Sequence, residues 1–113
     1  MKNTLILTLA LCASQIAYAG GDPAAGAQKT KACAACHGAD FDKPVTPDIP
    51  RLAGQHQDYL VRALTDYKSG ARKNPVMSGQ AAALSAQDIQ DIAAYLSGMG
   101  GSLHVIRLHR LVQ

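Results

Sequence analysis

Cys33-Ala34-Ala35-Cys36-His37 places two thiols three positions apart, with an imidazole directly after the second thiol. This spacing is the attachment signature of a c-type haem. Positions i and i+3 lie on one face of a helical turn, so both sulfurs can reach the two vinyl groups of one porphyrin. His37 then directs Nε2 toward the iron as the proximal ligand. The segment therefore predicts a covalently bound cofactor and one of its two axial ligands.

Other uses of two close cysteines fit this chain less well. A thioredoxin-like dithiol has a βαβ pattern around it, and no strand-rich segment occurs here. A zinc site needs four ligands with histidines at separate spacings, whereas His37 directly abuts Cys36 and no second cysteine pair exists. A disulfide between Cys33 and Cys36 would close a short, strained loop that contributes little stability. Haem attachment is the favoured interpretation.

The N-terminus has the three regions of a secretory signal peptide. Lys2 supplies the charge, an apolar run extends from Leu5 to Ile16, and Ala17-Tyr18-Ala19 matches a cleavage site. The apolar run is too short to span a bilayer. We therefore predict a signal peptide over 1–19, cleaved after Ala19, and a periplasmic mature protein; an uncleaved, membrane-tethered form is the alternative.

The composition of the mature chain predicts a small domain with little core of its own. Cleavage leaves 113 − 19 = 94 residues, with no Trp and a single Phe, Phe41. Such a chain buries little apolar area, and an apolar prosthetic group would supply much of the missing core. The net charge is 10 basic minus 8 acidic residues, or +2. This balance requires neither nucleic acid nor a strongly acidic partner.

A first helix is predicted by Asp22-Pro23, an N-cap residue followed by proline at the first helical position. We expect this helix to run from Ala24 to about Ala35, into the haem motif. Gly26 is unusual inside it, because glycine there costs about 1 kcal/mol relative to alanine. The glycine indicates either that another helix crosses closely at this point or that a small residue is tolerated in an alanine-rich helix.

Two further helices carry apolar residues at i, i+3, i+4 and i+7. The second is predicted over Gln55–Ser69, with Gly70 as its C-terminal stop. The third begins after the N-cap Ser85, where Asp88 completes an aspartate variant of the capping box, and ends at Gly98. The two stripes are Leu60, Ala63, Leu64 and Tyr67, and Ile89, Ile92, Ala93 and Leu96. The segments 38–54 and 71–84 contain prolines and are predicted to be mostly irregular.

The far side of the iron takes a second ligand or stays open. The candidates in the mature chain are Met77, Met99, His56, His104 and His109. Met77 follows the turn signal Asn74-Pro75 and lies forty residues after His37, far enough to reach the distal face. Met99, between two glycines at a helix end, is expected to be exposed. His56 opens the second helix and is expected to face solvent.

Several segments together resemble the class I cytochromes c, most closely the small bacterial cytochrome c-553 and cytochrome c4 type. They are the haem motif, Ile49–Gln55, the Tyr59-Leu60 helix, Met77-Ser78 and Asp91–Leu96, and they extend over about Gly21–Gly98. The resemblance implies an all-α class I cytochrome c fold, with three to five helices wrapped around one covalently bound haem c. We expect this domain to occupy residues 20–100.

The resemblance also implies a set of site residues. These are Cys33 and Cys36 as covalent attachments, His37 and Met77 as axial iron ligands, and Pro50 and Leu52 as cofactor-binding residues. The Pro50 carbonyl would accept a hydrogen bond from Nδ1–H of His37, which fixes the ring and tunes its basicity. Leu52 would pack against the haem. Gly26 would face Tyr95 where the first and last helices cross.

With both axial positions filled, the iron cannot bind a substrate without losing a ligand. The haem can then change oxidation state with little rearrangement, so we expect a periplasmic electron-transfer protein and not an enzyme. Its partners would be redox proteins of a respiratory or related chain, with no nucleic acid and no small-molecule substrate. Docking would be transient and partly electrostatic. The candidate steering charges are Lys29, Lys31, Lys43, Arg51, Arg72 and Lys73.

Two other functions stay open. A haem-bearing subunit of a larger oxidoreductase complex would have the same sequence features. A haem sensor or peroxidase is less favoured, because it needs a labile distal ligand and would bind carbon monoxide in the ferrous state.

Residues 101–113 go beyond the resemblance. They are apolar and basic, and their apolar positions follow neither a period of 3.6 nor a period of 2. Gly98, Gly100 and Gly101 predict a flexible junction. We interpret 101–113 as an atypical, flexible extension in preference to an arm that contacts a membrane or a partner.

Overall fold

The computed structural model describes residues 20–103, and over this range the chain is all-α, as predicted. The five helices are α1 (Pro23–Lys29), α2 (Ala34–His37), α3 (Gln57–Ser69), α4 (Pro75–Ala82) and α5 (Ala86–Gly98). No helix in this part of the chain is long and apolar enough to cross a membrane. The predicted signal peptide over 1–19, and the predicted extension from His104 on, including His109, lie outside the described residues.

The first predicted helix is divided into two, so the expectation of one continuous helix is wrong. Its start is confirmed: the Asp22 side chain accepts a hydrogen bond from the Ala24 N–H at 2.9 Å. The helix ends at Lys29, and α2 begins only at Ala34. The buried hydroxyl of Thr30 donates to the Gly26 carbonyl at 3.0 Å. A side-chain hydroxyl bonded to the backbone in this way competes with the hydrogen bonds that would continue the helix.

A helix also replaces much of the segment predicted to be irregular between residues 71 and 84. The side chain of Asn74 accepts a hydrogen bond from the Met77 N–H at 3.1 Å, and Pro75 occupies the first helical position. The Asn-Pro pair is a turn signal, but it is equally an N-cap followed by its favoured neighbour. Met77 therefore lies in the first turn of α4 and not in a loop.

The centre of the fold is α5, which packs against α1 and α3, while α3 also packs against α4. The predicted stripe of α5 is fully buried, whereas only Leu60 of the α3 stripe is buried and the rest is half-buried. The buried apolar residues are Phe41, Ala53, Leu60, Ala81, Ile89, Ile92, Ala93 and Leu96. Three of these eight are alanines, so the core formed by side chains is small, as the composition predicts.

Helices α1 and α5 cross at Gly26. A Cβ atom there would overlap the backbone carbonyl of Asp91 and lie 2.8 Å from the Cβ of Tyr95. Only a residue without a side chain permits this approach. The predicted proximity of Gly26 to Tyr95 is confirmed.

The side chain of Asp91 joins both ends of α1 to the middle of α5. It accepts hydrogen bonds from the Asp22 N–H at 2.7 Å, the Lys29 ammonium at 2.6 Å and the Gln87 amide at 2.8 Å. Lys29 also pairs with Asp88 at 2.7 Å. Burial alone would raise the pKa of Asp91, but the three donors together lower it. The carboxylate therefore stays ionised and holds α1 against α5.

The chain after α5 contacts the domain as far as it is described. A Cβ atom on Gly101 would lie 2.9 Å from the Cβ of Ala53, and the Ser102 N–H donates to the Asp42 side chain at 2.8 Å. Residues 101–103 therefore make hydrogen bonds and close contacts with the domain, and the flexibility of the extension stays a prediction.

Candidate haem site

The two thiols of the motif are free and lie within one turn of chain. Cys33 is the N-cap residue of α2, and the exposed Cys36 lies within the helix. Burial raises the pKa of the Cys33 thiol. Because neither cysteine forms a disulfide, both thiols are available for thioether bonds to one acceptor.

His37 is held in the tautomer that a metal ligand needs. Its ring is buried, with 6% of the residue exposed, and Nδ1 lies 2.8 Å from the Pro50 carbonyl oxygen. Because a carbonyl oxygen can only accept, the hydrogen of this bond is on Nδ1, which leaves Nε2 as the nitrogen that can face a metal. The predicted contact between His37 and Pro50 is confirmed.

Phe41 orients the segment that carries Pro50, a role that the sequence patterns missed. Its backbone φ is 56°, a value uncommon for a residue other than glycine. The Phe41 carbonyl accepts hydrogen bonds from the N–H groups of Leu52 at 2.8 Å and Ala53 at 3.0 Å. Its buried ring lies edge-on to Tyr95, with the centroids 6.3 Å apart. Ring packing therefore maintains a backbone conformation that fixes the chain just after Pro50.

The candidates for the distal ligand have different surroundings. Met77 is half-buried in the first turn of α4. Met99 packs against the hydrophobic core, so its expected exposure is wrong: the chain turns back after α5, and the Met99 N–H donates to the Leu96 carbonyl at 3.3 Å. His56 is exposed at the N-cap of α3, as predicted.

These residues fit a covalently bound haem. The set comprises two free thiols, an imidazole nitrogen with its lone pair available, and a thioether on a separate helix. Among residues 20–103, α2 packs against no other helix, and α4 packs only against α3. A haem attached to α2 would therefore give the motif helix a packing partner. Leu52, a predicted cofactor-binding residue, is half-buried and packs against the hydrophobic core.

The six candidate steering charges fall into two groups. Lys29 pairs with Asp88 and Asp91, Arg51 donates to Ser102, and Arg72 donates to the Tyr59 hydroxyl at 3.3 Å and lies over the Tyr67 ring. The other three make no ion pair within residues 20–103. These three are the exposed side chains of Lys31, Lys43 and Lys73.

Comparison with known proteins places the chain in a family. The family model for cytochrome c matches residues 23–100. The chain is 47% identical over 94 residues to cytochrome c4 of Pseudomonas aeruginosa, which covers 83% of this chain and 45% of that protein. It is 45% identical over 80 residues to a thiosulfate dehydrogenase electron acceptor of Stutzerimonas stutzeri, covering 71% of this chain and 35% of that protein.

The fold comparison agrees with the sequence matches. The crystal structure of reduced cytochrome c4 from Pseudomonas stutzeri superposes with a TM-score of 0.68 at 42% identity, covering 74% of this chain and 48% of that one. The chain spans about half the length of the cytochrome c4 relatives that it matches. The predicted class I fold and haem c cofactor are confirmed, and cytochromes of this kind carry electrons and are not enzymes. The chain belongs to the cytochrome c family.

Proposed function

We propose that this chain is a periplasmic single-electron carrier whose haem is attached through Cys33 and Cys36 and ligated by His37 and Met77. The state of His37 is the observation that supports this most. A buried imidazole that donates through Nδ1 to a backbone carbonyl presents a basic Nε2 in a fixed direction. This is the arrangement of a permanent metal ligand.

The residues of the chain have defined tasks in electron transfer. When bound, the haem supplies a reversible one-electron couple. Cys33 and Cys36 keep the cofactor attached through thioether bonds. The Pro50 carbonyl prevents the His37 ring from turning, and burial of that ring excludes water from its Nδ1–H. A ligand that does not move when the charge changes keeps the reorganisation small.

Met77 is the distal ligand in this proposal. Its position in the first turn of α4 is fixed because its own N–H is held by the Asn74 cap. A thioether is a soft ligand that raises the reduction potential. Met99 is already engaged in core packing, which favours Met77 as the ligand.

The docking surface for redox partners would lie around two exposed valines. The Val45 N–H donates to the Cys36 carbonyl at 3.0 Å, and 63% of Val45 is exposed. Val76 precedes Met77 and is 65% exposed. The ammonium groups of Lys31, Lys43 and Lys73, which make no ion pair with any residue in 20–103, would steer a partner with an acidic surface. Similarity to an electron acceptor of a dehydrogenase supports a redox protein as the partner.

Carbon monoxide distinguishes this function from that of a sensor or a peroxidase. The exported holo-protein is first assayed by haemochrome spectroscopy, which reports whether the haem carries two thioether bonds. We expect the ferrous wild type and Met99→Ala to be inert to carbon monoxide at neutral pH and Met77→Ala to bind it. Binding by the wild type would overturn the carrier proposal in favour of a labile distal site.

A further inference from the structure

Two backbone segments approach closely near the proximal histidine. Gly54 has a φ of +80°, and a Cβ atom on it would overlap the Leu103 carbonyl and lie 3.4 Å from the Met99 carbonyl oxygen. A Cβ atom on Gly101 would also lie too close to Ala53, at 2.9 Å from its Cβ. The segment 101–103 after α5 therefore lies directly on the loop that carries Pro50.

Ser102 makes the polar contacts between these segments. Its N–H and its hydroxyl both donate to Oδ1 of Asp42, at 2.8 Å and 2.6 Å. Arg51 donates from Nη1 to the same hydroxyl at 2.6 Å. The hydroxyl thus donates to a carboxylate and accepts from a guanidinium, which joins these two groups. The two hydrogen bonds from Ser102 lower the pKa of Asp42, so the carboxylate is ionised at neutral pH.

Ser102 joins Asp42 to Arg51, and each of these two residues follows one whose carbonyl helps to position His37. Asp42 follows Phe41, whose carbonyl binds the N–H groups of residues 52 and 53. Arg51 follows Pro50, whose carbonyl accepts the hydrogen bond from His37. Ser102 therefore closes a ring of contacts around the peptide unit that holds the imidazole.

We propose that the segment 101–103 is a brace that holds the Pro50 carbonyl on His37, and that Ser102 is a positioning residue for the proximal ligand. This inference rests on the proposed function, because it requires His37 to ligate the iron. A firm Nδ1–H···O bond makes the imidazole more basic and favours the ferric state. Loss of the brace weakens that bond and raises the reduction potential.

Ser102→Ala tests the brace without changing any charge. The matched control is Ser97→Ala, because the Ser97 hydroxyl donates only to the Ala94 carbonyl within α5 among the contacts described. The holo-proteins are compared by potentiometric titration and by solvent exchange of the His37 Nδ1–H in NMR spectra of the ferrous form. For Ser102→Ala we expect a higher reduction potential. At a fixed applied potential, the ratio of oxidised to reduced protein should change by a factor of roughly three, which is less than the effect of removing a direct hydrogen-bond partner of the ligand. The Nδ1–H should also exchange several-fold faster.

Ser102→Thr keeps the hydroxyl and should restore both readouts. Values for Ser102→Ala equal to those of Ser97→Ala, or a threonine variant that behaves like alanine, would overturn the brace. Failure of the proposed function has a different signature, because the wild type itself would then show no iron-ligated His37. An iron-ligated His37 that is insensitive to Ser102 would overturn this inference alone.

Discussion

Gly26 of α1 lies directly against Tyr95 of α5, because glycine has no side chain to keep the two helices apart. A Cβ atom on Gly26 would lie 2.8 Å from the Cβ of Tyr95 and would overlap the Asp91 carbonyl, which is backbone and cannot rotate away. The same α5 segment buries Asp91, which binds the Asp22 N–H just before α1 and the Lys29 ammonium at its end. This crossing joins the two ends of the domain around the small core.

Gly26→Ala should therefore destabilise the holo-protein although alanine is the better helix former. We expect a loss of about 2 kcal/mol in the free energy of unfolding, because overpacking outweighs the gain in helix propensity. Gly79→Ala in α4 is the matched control, since nothing lies within 4 Å of its added Cβ. This control should gain about 0.5–1 kcal/mol. Denaturant unfolding measures both, and equal effects would contradict the close crossing.

The ion pairs of Lys29 should make stability depend on pH in the acid range. The Lys29 ammonium, with contacts from Ser85, lowers the pKa of Asp88 from 3.8 to about 2. Because the folded pKa is lowered, this contribution is complete above the unfolded value and is lost as the pH falls through about 2. Lys29→Met should destabilise the protein at neutral pH, and the difference from wild type should shrink toward that pH. Lys31→Met removes a charge that has no ion pair in the described part of the chain, so it should show no such convergence. A pH-independent effect of Lys29→Met would refute the coupling.

Asn74 should control how firmly Met77 is held. Asn74→Ala removes the N-cap of α4 and should cost about 1 kcal/mol of stability. It should also make the ferrous protein more susceptible to carbon monoxide, because the Met77 N–H loses its acceptor. Asn74→Asp preserves an N-cap acceptor and should leave carbon monoxide binding unchanged. If the alanine variant were as inert as the aspartate variant, α4 would not position the distal ligand.

Charge reversal at Lys31, Lys43 and Lys73 should change electron exchange with small charged reagents in opposite directions. With glutamate at these positions, oxidation by anionic hexacyanoferrate(III) should slow several-fold and oxidation by cationic tris(1,10-phenanthroline)cobalt(III) should accelerate. High salt should abolish both effects. Arg62→Glu, on the face of α3 near Gln90, provides a charge reversal at a residue outside the proposed set of steering charges. An equal effect per charge at Arg62 would contradict local steering.

The sequence patterns identified the elements whose signals are local. The capping box is present, with Ser85 and Asp88 each bonded to the backbone of the other. The stripe of α5 is buried because a 3.6-residue period places its members on one face. The proximity of Gly26 to Tyr95, and the hydrogen bond from His37 to Pro50, came from the family resemblance and are present.

The features that the patterns missed depend on tertiary contacts or on ambiguous local signals. Asn74-Pro75 is compatible with both a turn and a helix start, and packing of α4 against α3 favours the helix. The left-handed backbone of Phe41 has no sequence marker, since its stability comes from burial of the ring against Tyr95. The contacts of Ser102 join residues about sixty positions apart, a separation at which no periodicity operates.

The methyl resonances of methionine provide the most direct test of the central claim, that Met77 and His37 ligate one haem. In the ferrous holo-protein labelled with ¹³C-methyl methionine, a methyl group bound to the iron lies over the porphyrin plane, where the ring current shifts it strongly upfield. We predict one such resonance in the wild type and in Met99→Ala, and none in Met77→Ala. An upfield methyl resonance that persists in Met77→Ala, or its absence from the wild type, would contradict the proposed ligation.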